Sequence, residues 1–128
     1  MGESLDVLAF ARGINEMLVL AVLREGGKHG YQVALELERS SAGRFTLQHG
    51  TLYPILHRLE RERLIRGSWE EAGGRRRKVY VLTAAGRRKL EADSARCHEL
   101  FRGLLSVITE GGVDDEVRGA VEGSGHGA

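Results

Sequence analysis

Hydrophobic positions along this chain keep one period at each end and another in the middle. Ile14, Met17, Leu18 and Ala21 recur at i, i+3, i+4 and i+7, which is the stripe of an amphipathic helix. Leu20, Val22 and Leu23 widen it, so this helix is expected to be buried over much of its circumference, ending at Gly26 and Gly27. Upstream, Ser4 suits the cap of a short separate helix carrying Leu5, Val7, Leu8 and Phe10. A second helix is predicted over residues 29–40, with Val33, Ala34 and Leu37 inward and Gly43 closing it. Leu52, Ile55, Leu56 and Leu59 repeat the same spacing and predict a third.

The period then drops to two. In "LIRGSWE", Ile65, Gly67 and Trp69 alternate with Arg66, Ser68 and Glu70; in "KVYVLT", Val79 and Val81 alternate with Lys78 and Tyr80. Between these runs lies "EAGGRRR", so the segment predicts a β-hairpin with a basic tip. A long helix is expected over residues 83–109, with Thr83 as N-cap. Placing Leu90 at heptad position a puts Leu90, Asp93, Cys97, Leu100, Leu104 and Val107 at a and d, with Phe101 and Ile108 beside them. Leu90, Cys97, Leu100, Phe101, Leu104, Val107 and Ile108 therefore form the expected dimer interface. Residues 111–128 hold six glycines in eighteen and are expected to be a disordered, acidic tail.

Composition adds little until it is read by position. With 128 residues, 41% hydrophobic and 29% charged, the chain suits one globular domain with an appendage. The net charge is only +1, yet residues 73–89 carry seven basic side chains and no acid. From Glu110 onward there are five acids against Arg118 alone. That asymmetry points to a local polyanion site. The single cysteine, Cys97, allows no intramolecular disulfide and fits a reducing compartment. The first residues resemble neither a secretory signal nor a membrane span, so the expected location is the cytoplasm.

The order of helix, helix, helix, hairpin and long helix is that of a mainly α winged helix-turn-helix with a two-stranded β wing, followed by a dimerisation helix. The expected divisions are 1–82 for the DNA-binding domain and 83–110 for the dimerisation helix. In such a unit the third helix enters the major groove and the hairpin tip reaches phosphates or the adjacent minor groove. Off the core stripe of the third helix lie Thr51, Tyr53, Pro54, His57, Arg58 and Arg61, preceded by Gln48 and His49. Hydroxyl, imidazole and guanidinium groups bond to base edges or phosphates, and proline packs on thymine methyls. Pro54 lies in the first two turns: at N3 its missing N–H would cost nothing, and one turn later it would cost a hydrogen bond. At the hairpin tip, Arg75, Arg76, Arg77 and Lys78 repel one another unless a counter-charge is near, as on a DNA backbone.

The segments "HGYQVALELERSSAGRF", "GTLYPILHRLERERLI" and "GSWEEAGGRRRKVYVLTAAGRRKL" resemble the PadR family of bacterial winged-helix transcriptional regulators over about residues 12–110. The resemblance implies a recognition helix at residues 50–58, a wing at 75–78 and a dimerisation helix at 83–109. It implies a homodimeric repressor on an inverted-repeat operator of double-stranded DNA, of the smaller subclass with one C-terminal helix. Many members are released by small ligands such as phenolic acids. Two positions depart from the family pattern. Lys28 stands where proline is frequent, and Arg63 where glycine is usual. If residue 63 takes a positive φ as the residue after the helix, arginine there costs roughly 1 kcal/mol.

His29 and Tyr31 open the second helix, where capping, packing and a phosphate contact all suit them. Cys97 and His98 are adjacent, a poor geometry for joint metal ligation; no metal and no cofactor is expected. A small effector would find its walls at Cys97, Leu100, Phe101 and Leu104, which equally suffice as dimer packing. No convergent acid–base cluster supports an enzyme. The competing reading is a winged-helix protein-interaction module without DNA binding, against which the basic wing argues.

Overall fold

The computed structural model describes residues 2–109, with side chains from Arg12 onward; the tail expected at 111–128 and the apolar side chains of 5–10 lie outside the described residues. The elements are α1 (Gly2–Leu23), β1 (Lys28–His29), α2 (Gly30–Ser40), α3 (His49–Arg61), β2 (Ile65–Ala72), β3 (Arg75–Leu82) and α4 (Ala84–Ile108). They fall into two compact units that divide inside α4, between Ala92 and Asp93.

The first unit carries the core. Val19, Leu20 and Leu23 of α1 meet Val33 and Leu37 of α2, the stripe Leu52, Ile55, Leu56 and Leu59 of α3, and Ile65, Tyr80 and Leu90. The third-helix stripe is buried as its spacing predicts. In α1, Val19 and Leu20 are fully enclosed while Met17, Leu18 and Ala21 are partly so, consistent with a helix surrounded on most sides. The separate helix expected at Ser4 is instead continuous with α1. Gly13, exposed and without a proline or cap beside it, weakens a helix by about 1 kcal/mol but does not end one.

The hairpin forms with the alternation read from the sequence, and a third strand joins it. The two-residue β1 pairs antiparallel with β3, giving the order β1-β3-β2. Ile65, Gly67, Trp69 and Glu71 oppose Leu82, Tyr80, Lys78 and Arg76 in register. At the tip Gly73 and Gly74 take φ of 58° and 78°, a two-residue turn with both residues left-handed, where glycine is nearly obligatory. Tyr80, which the alternation grouped with Lys78, is the residue of β3 that reaches the core, at 2% exposure.

The junction between α3 and α4 is tightly tied. Arg63 has φ 63°, its N–H donates to the Glu60 carbonyl at 3.0 Å, and the Leu64 N–H donates to Leu59 at 3.0 Å. This is the Schellman ending, with arginine in the place that favours glycine. Thr83 then caps α4: its Oγ1 accepts the Gly86 N–H at 3.0 Å, and its own N–H donates to the Leu64 carbonyl at 3.1 Å. Its hydroxyl donates to the Arg63 carbonyl, Oγ1 to oxygen, at 2.8 Å. Gly86 lies so close to that loop that a Cβ would fall 2.0 Å from the Leu64 carbonyl oxygen.

Leu90, expected at the dimer interface, belongs to this first unit and is 2% exposed. The correction has a simple cause: the first two turns of α4 cover the winged domain, so the heptad seam cannot begin there. In the second unit Leu100, Phe101, Leu104, Val107 and Ile108 are all exposed and Cys97 is half-buried. No helix among the described residues is long and apolar enough to cross a membrane.

Candidate nucleic-acid interface

Helix α3 buries one face and presents another. Gln48 is its N-cap residue, with extended backbone, and its carbonyl accepts the Thr51 and Leu52 N–H groups. The amides of His49 and Gly50, ahead of these two, lack intrahelical partners by geometry and are available to a phosphate. Pro54 is the sixth helical residue, so the later of the two placements applies: the amide that would serve the Gly50 carbonyl is missing. Gly50 is exposed, so water can take that role. The cost is thereby small, and an apolar ring is set on the outer face.

His49, Tyr53 and His57 follow one another at i, i+4 and i+8. The Tyr53 ring lies 5.6 Å from that of His49, edge-on, and 6.4 Å from that of His57, tilted. Tyr53 is half-buried against the start of α2: a Cβ on Gly30 would fall 2.8 Å from its hydroxyl oxygen. Both histidines, Thr51 and Pro54 are exposed. Arg58, expected on the DNA face, is turned elsewhere. Its guanidinium pairs with Glu16 of α1 at 2.8 Å, and its Nε is buried without a hydrogen-bond partner. Position 58 borders the core stripe between Ile55 and Leu59, which brings its side chain within reach of α1.

The wing divides its four cations. Arg75, Arg76 and Arg77 are exposed. The Arg76 guanidinium rests 4.8 Å from the centre of the Trp69 ring, a cation–π contact across the hairpin. Lys78, expected among the DNA contacts, instead pairs with Glu60 of α3, Nζ to Oε1, at 3.0 Å. That hydrogen bond holds the Lys78 pKa above its usual value, while burial raises that of Tyr80.

Between α3, the start of α2 and the wing runs an open cleft of about 670 Å³. Tyr53, His57, Arg75, Arg76, Arg77 and Lys78 line it, together with Trp69, Tyr80, His29, Gly30 and Tyr31. No acidic side chain is among these lining residues. Gln48, His49, Thr51 and Pro54 lie on α3 or at its cap but outside that lining. The sequence reading missed Trp69 and Glu60. Trp69 had a readable signal, since it shares the hairpin face of Gly67 and opposes Lys78. His29, which it left open, is the N-cap residue of α2, its N–H donating to the Gln32 side chain at 2.8 Å. Among the described residues no three His, Cys, Asp or Glu side chains converge on a metal-sized site.

Comparison with known proteins agrees with this geometry. The model of the transcriptional regulator PadR-like family matches residues 19–92. A transcriptional regulator of Mycobacterium tuberculosis, Rv3488, is 35% identical over 96 residues, 75% of this chain and 87% of that one. An uncharacterised 37.1 kDa transposon protein of Streptomyces fradiae is 40% identical over 102 residues; the match takes in 80% of this chain and only 27% of that protein's length. The crystal structure of a PadR family regulator from Eggerthella lenta superposes with a TM-score of 0.69 at 34% identity, covering 84% of this chain and 92% of that one. That of Bacillus subtilis PadR in complex with operator DNA gives 0.58 at 25% identity, covering 62% and 44%.

Proposed function

The chain belongs to the transcriptional regulator PadR-like family and is a sequence-specific DNA-binding regulator of transcription; from that premise we propose that it is a homodimeric repressor acting on an inverted-repeat operator. The observation that carries this reading is the cleft with no acid among its lining residues, which brings Tyr53 and His57 of α3 together with the three exposed arginines of the wing. His49, Thr51, Pro54 and His57 read base edges from the major groove, and Gln48 and the first amides of α3 set its register on the backbone. Arg75, Arg76 and Arg77 meet phosphates or the minor groove beside it.

In this reading residues 1–82 form the DNA-binding domain and the second half of α4 is the dimer seam, through Leu100, Phe101, Leu104, Val107 and Ile108. A small apolar effector would lodge beside Cys97 and Leu104 between two copies and release the operator. The protein works in the cytoplasm, at the nucleoid, without enzymatic activity. Selection of bound duplexes from a random pool tests the proposal. It should return an inverted repeat with half-sites about one helical turn apart, roughly 10 base pairs. Recovery of an unpaired half-site would remove the dimer from the mechanism, and recovery of no sequence would remove specific readout.

A further inference from the structure

Lys78 carries a charge in the middle of the DNA cleft yet spends it inside the molecule. It stands on β3 directly opposite Trp69, two residues beyond Arg76 and two before the buried Tyr80, so all three β3 side chains share one face of the sheet. From there its chain crosses Gly67. A Cβ at Gly67 would fall 2.5 Å from Lys78 Cε, 3.0 Å from Glu60 Oε2 and 3.1 Å from the Tyr80 ring. Glycine in a strand interior marks a close approach, and here the approach is that of the lysine stem. Its Nζ ends 3.0 Å from Glu60, with the Trp69 and Tyr80 ring centres at 5.9 Å and 5.6 Å. Glu60 lies in the last turn of α3, one turn beyond His57 at the end of the proposed base-reading face. Both side chains are about three-quarters withdrawn from water, at 27% and 30% exposure. The pair is therefore less screened than a surface ion pair, and it joins the two elements that must touch DNA together.

We infer that Lys78 is a positioning residue rather than a DNA contact: by crossing Gly67 to Glu60 it fastens the wing to the end of the recognition helix and sets the separation at which Arg75, Arg76 and Arg77 meet the backbone while α3 lies in the groove. The inference rests on the proposed reading of α3 and the wing as the two DNA-contacting elements. Gly67 is part of the device, since any side chain there displaces the strap.

The test compares salt dependence with affinity. Binding of the full chain to a selected operator duplex is measured from low to high salt for the wild type, Lys78→Met, Glu60→Gln, the exchange Glu60→Lys with Lys78→Glu, and the single variants Arg75→Ala, Arg76→Ala and Arg77→Ala. A phosphate contact lowers the slope of log K against log salt by about 1 when removed, and Arg75→Ala should do so. Lys78→Met should weaken operator binding by about threefold to tenfold with the slope unchanged, and Glu60→Gln should match it. The exchange should recover most of the loss. Trp69, the sole tryptophan, reports on the wing directly, and its emission should move in both single variants and return in the exchange. A slope lowered by about 1 in Lys78→Met, with Glu60→Gln binding as tightly as the wild type, would make Lys78 a phosphate contact and overturn the inference alone. An unchanged slope in Arg75→Ala, Arg76→Ala and Arg77→Ala alike would overturn the wing reading on which it rests. If Lys78→Met melts early, Glu60→Gln and the exchange still decide.

Discussion

Arg63 holds a left-handed backbone, φ 63°, where α3 ends in its Schellman turn. An L side chain is strained there by roughly 1–2 kcal/mol, and glycine is not, although glycine also loosens the unfolded chain. Arg63→Gly should therefore stabilise the protein by about 0.5–1 kcal/mol, read as a higher midpoint in urea at unchanged slope. A lower midpoint would show that the arginine side chain contributes more than its backbone strain removes. Tyr80 gives a prediction in pH. Burial raises its folded pKa, so the unfolded chain ionises first, at about 10. Its contribution is present in full below that pH and is lost as pH rises further. The raised pKa of Lys78, caused by Glu60, adds a loss of the same sign. Urea unfolding at pH 9 and pH 11 should show the decline, and Tyr80→Phe should make it smaller. An equal decline in that variant would exclude Tyr80 as its source. The strain at residue 63 was legible as a departure from the family pattern. The burial of Tyr80 was not, because alternation separates two faces without saying which one the helices cover.

Among the elements, the wing was the most legible and the most misleading. Two alternating runs around a glycine-bearing segment give the hairpin, but the loop read at residues 71–77 shrinks to Gly73 and Gly74, because β2 runs to Ala72 and the basic run from Arg75 pairs as part of β3. The strand β1 was beyond reach, since two residues carry no period. The run of four cations was legible as charge, but its division was not. Lys78 leaves the group only because Glu60, eighteen residues earlier, arrives beside it when α3 packs on the sheet. Arg58 leaves the outer face of α3 for the same kind of reason, through Glu16 on α1. Long-range ion pairs have no local signature. The three remaining arginines predict a graded signature: replacing Arg75, Arg76 and Arg77 together with alanine should lower the salt slope by up to about 3 on operator and random duplexes alike. His57→Ala should instead weaken operator binding by about 1–3 kcal/mol and leave random DNA nearly unaffected, if His57 reads a base edge. Equal losses on both duplexes would move His57 to the phosphates.

At the scale of the whole molecule the decisive contrast lies within one helix. Leu90 and Leu104 both fall on the heptad seam read from the sequence, fourteen residues apart, yet Leu90 is 2% exposed in the first unit and Leu104 is 52% exposed in the second. Leu100, Val107 and Ile108 are exposed to 51%, 78% and 60% around it. Leaving such side chains in water forgoes roughly 1.5–3 kcal/mol each, and a second copy of the same face is the cover that two-fold symmetry supplies most simply. The two leucines should then fail in different ways. Leu90→Asp places a carboxylate in the core and should abolish cooperative unfolding or lower its midpoint steeply. Leu104→Asp should keep a folded winged domain, with the same urea transition at monomer concentrations, while sedimentation shows the dimer gone. In the proposed dimer it should also weaken operator binding far beyond one added charge, because two copies of α3 about 34 Å apart would act together only when joined. A dimer that survives Leu104→Asp with full operator affinity would place the seam on another surface, and wild-type protein sedimenting as a monomer at micromolar concentration would leave no seam to place.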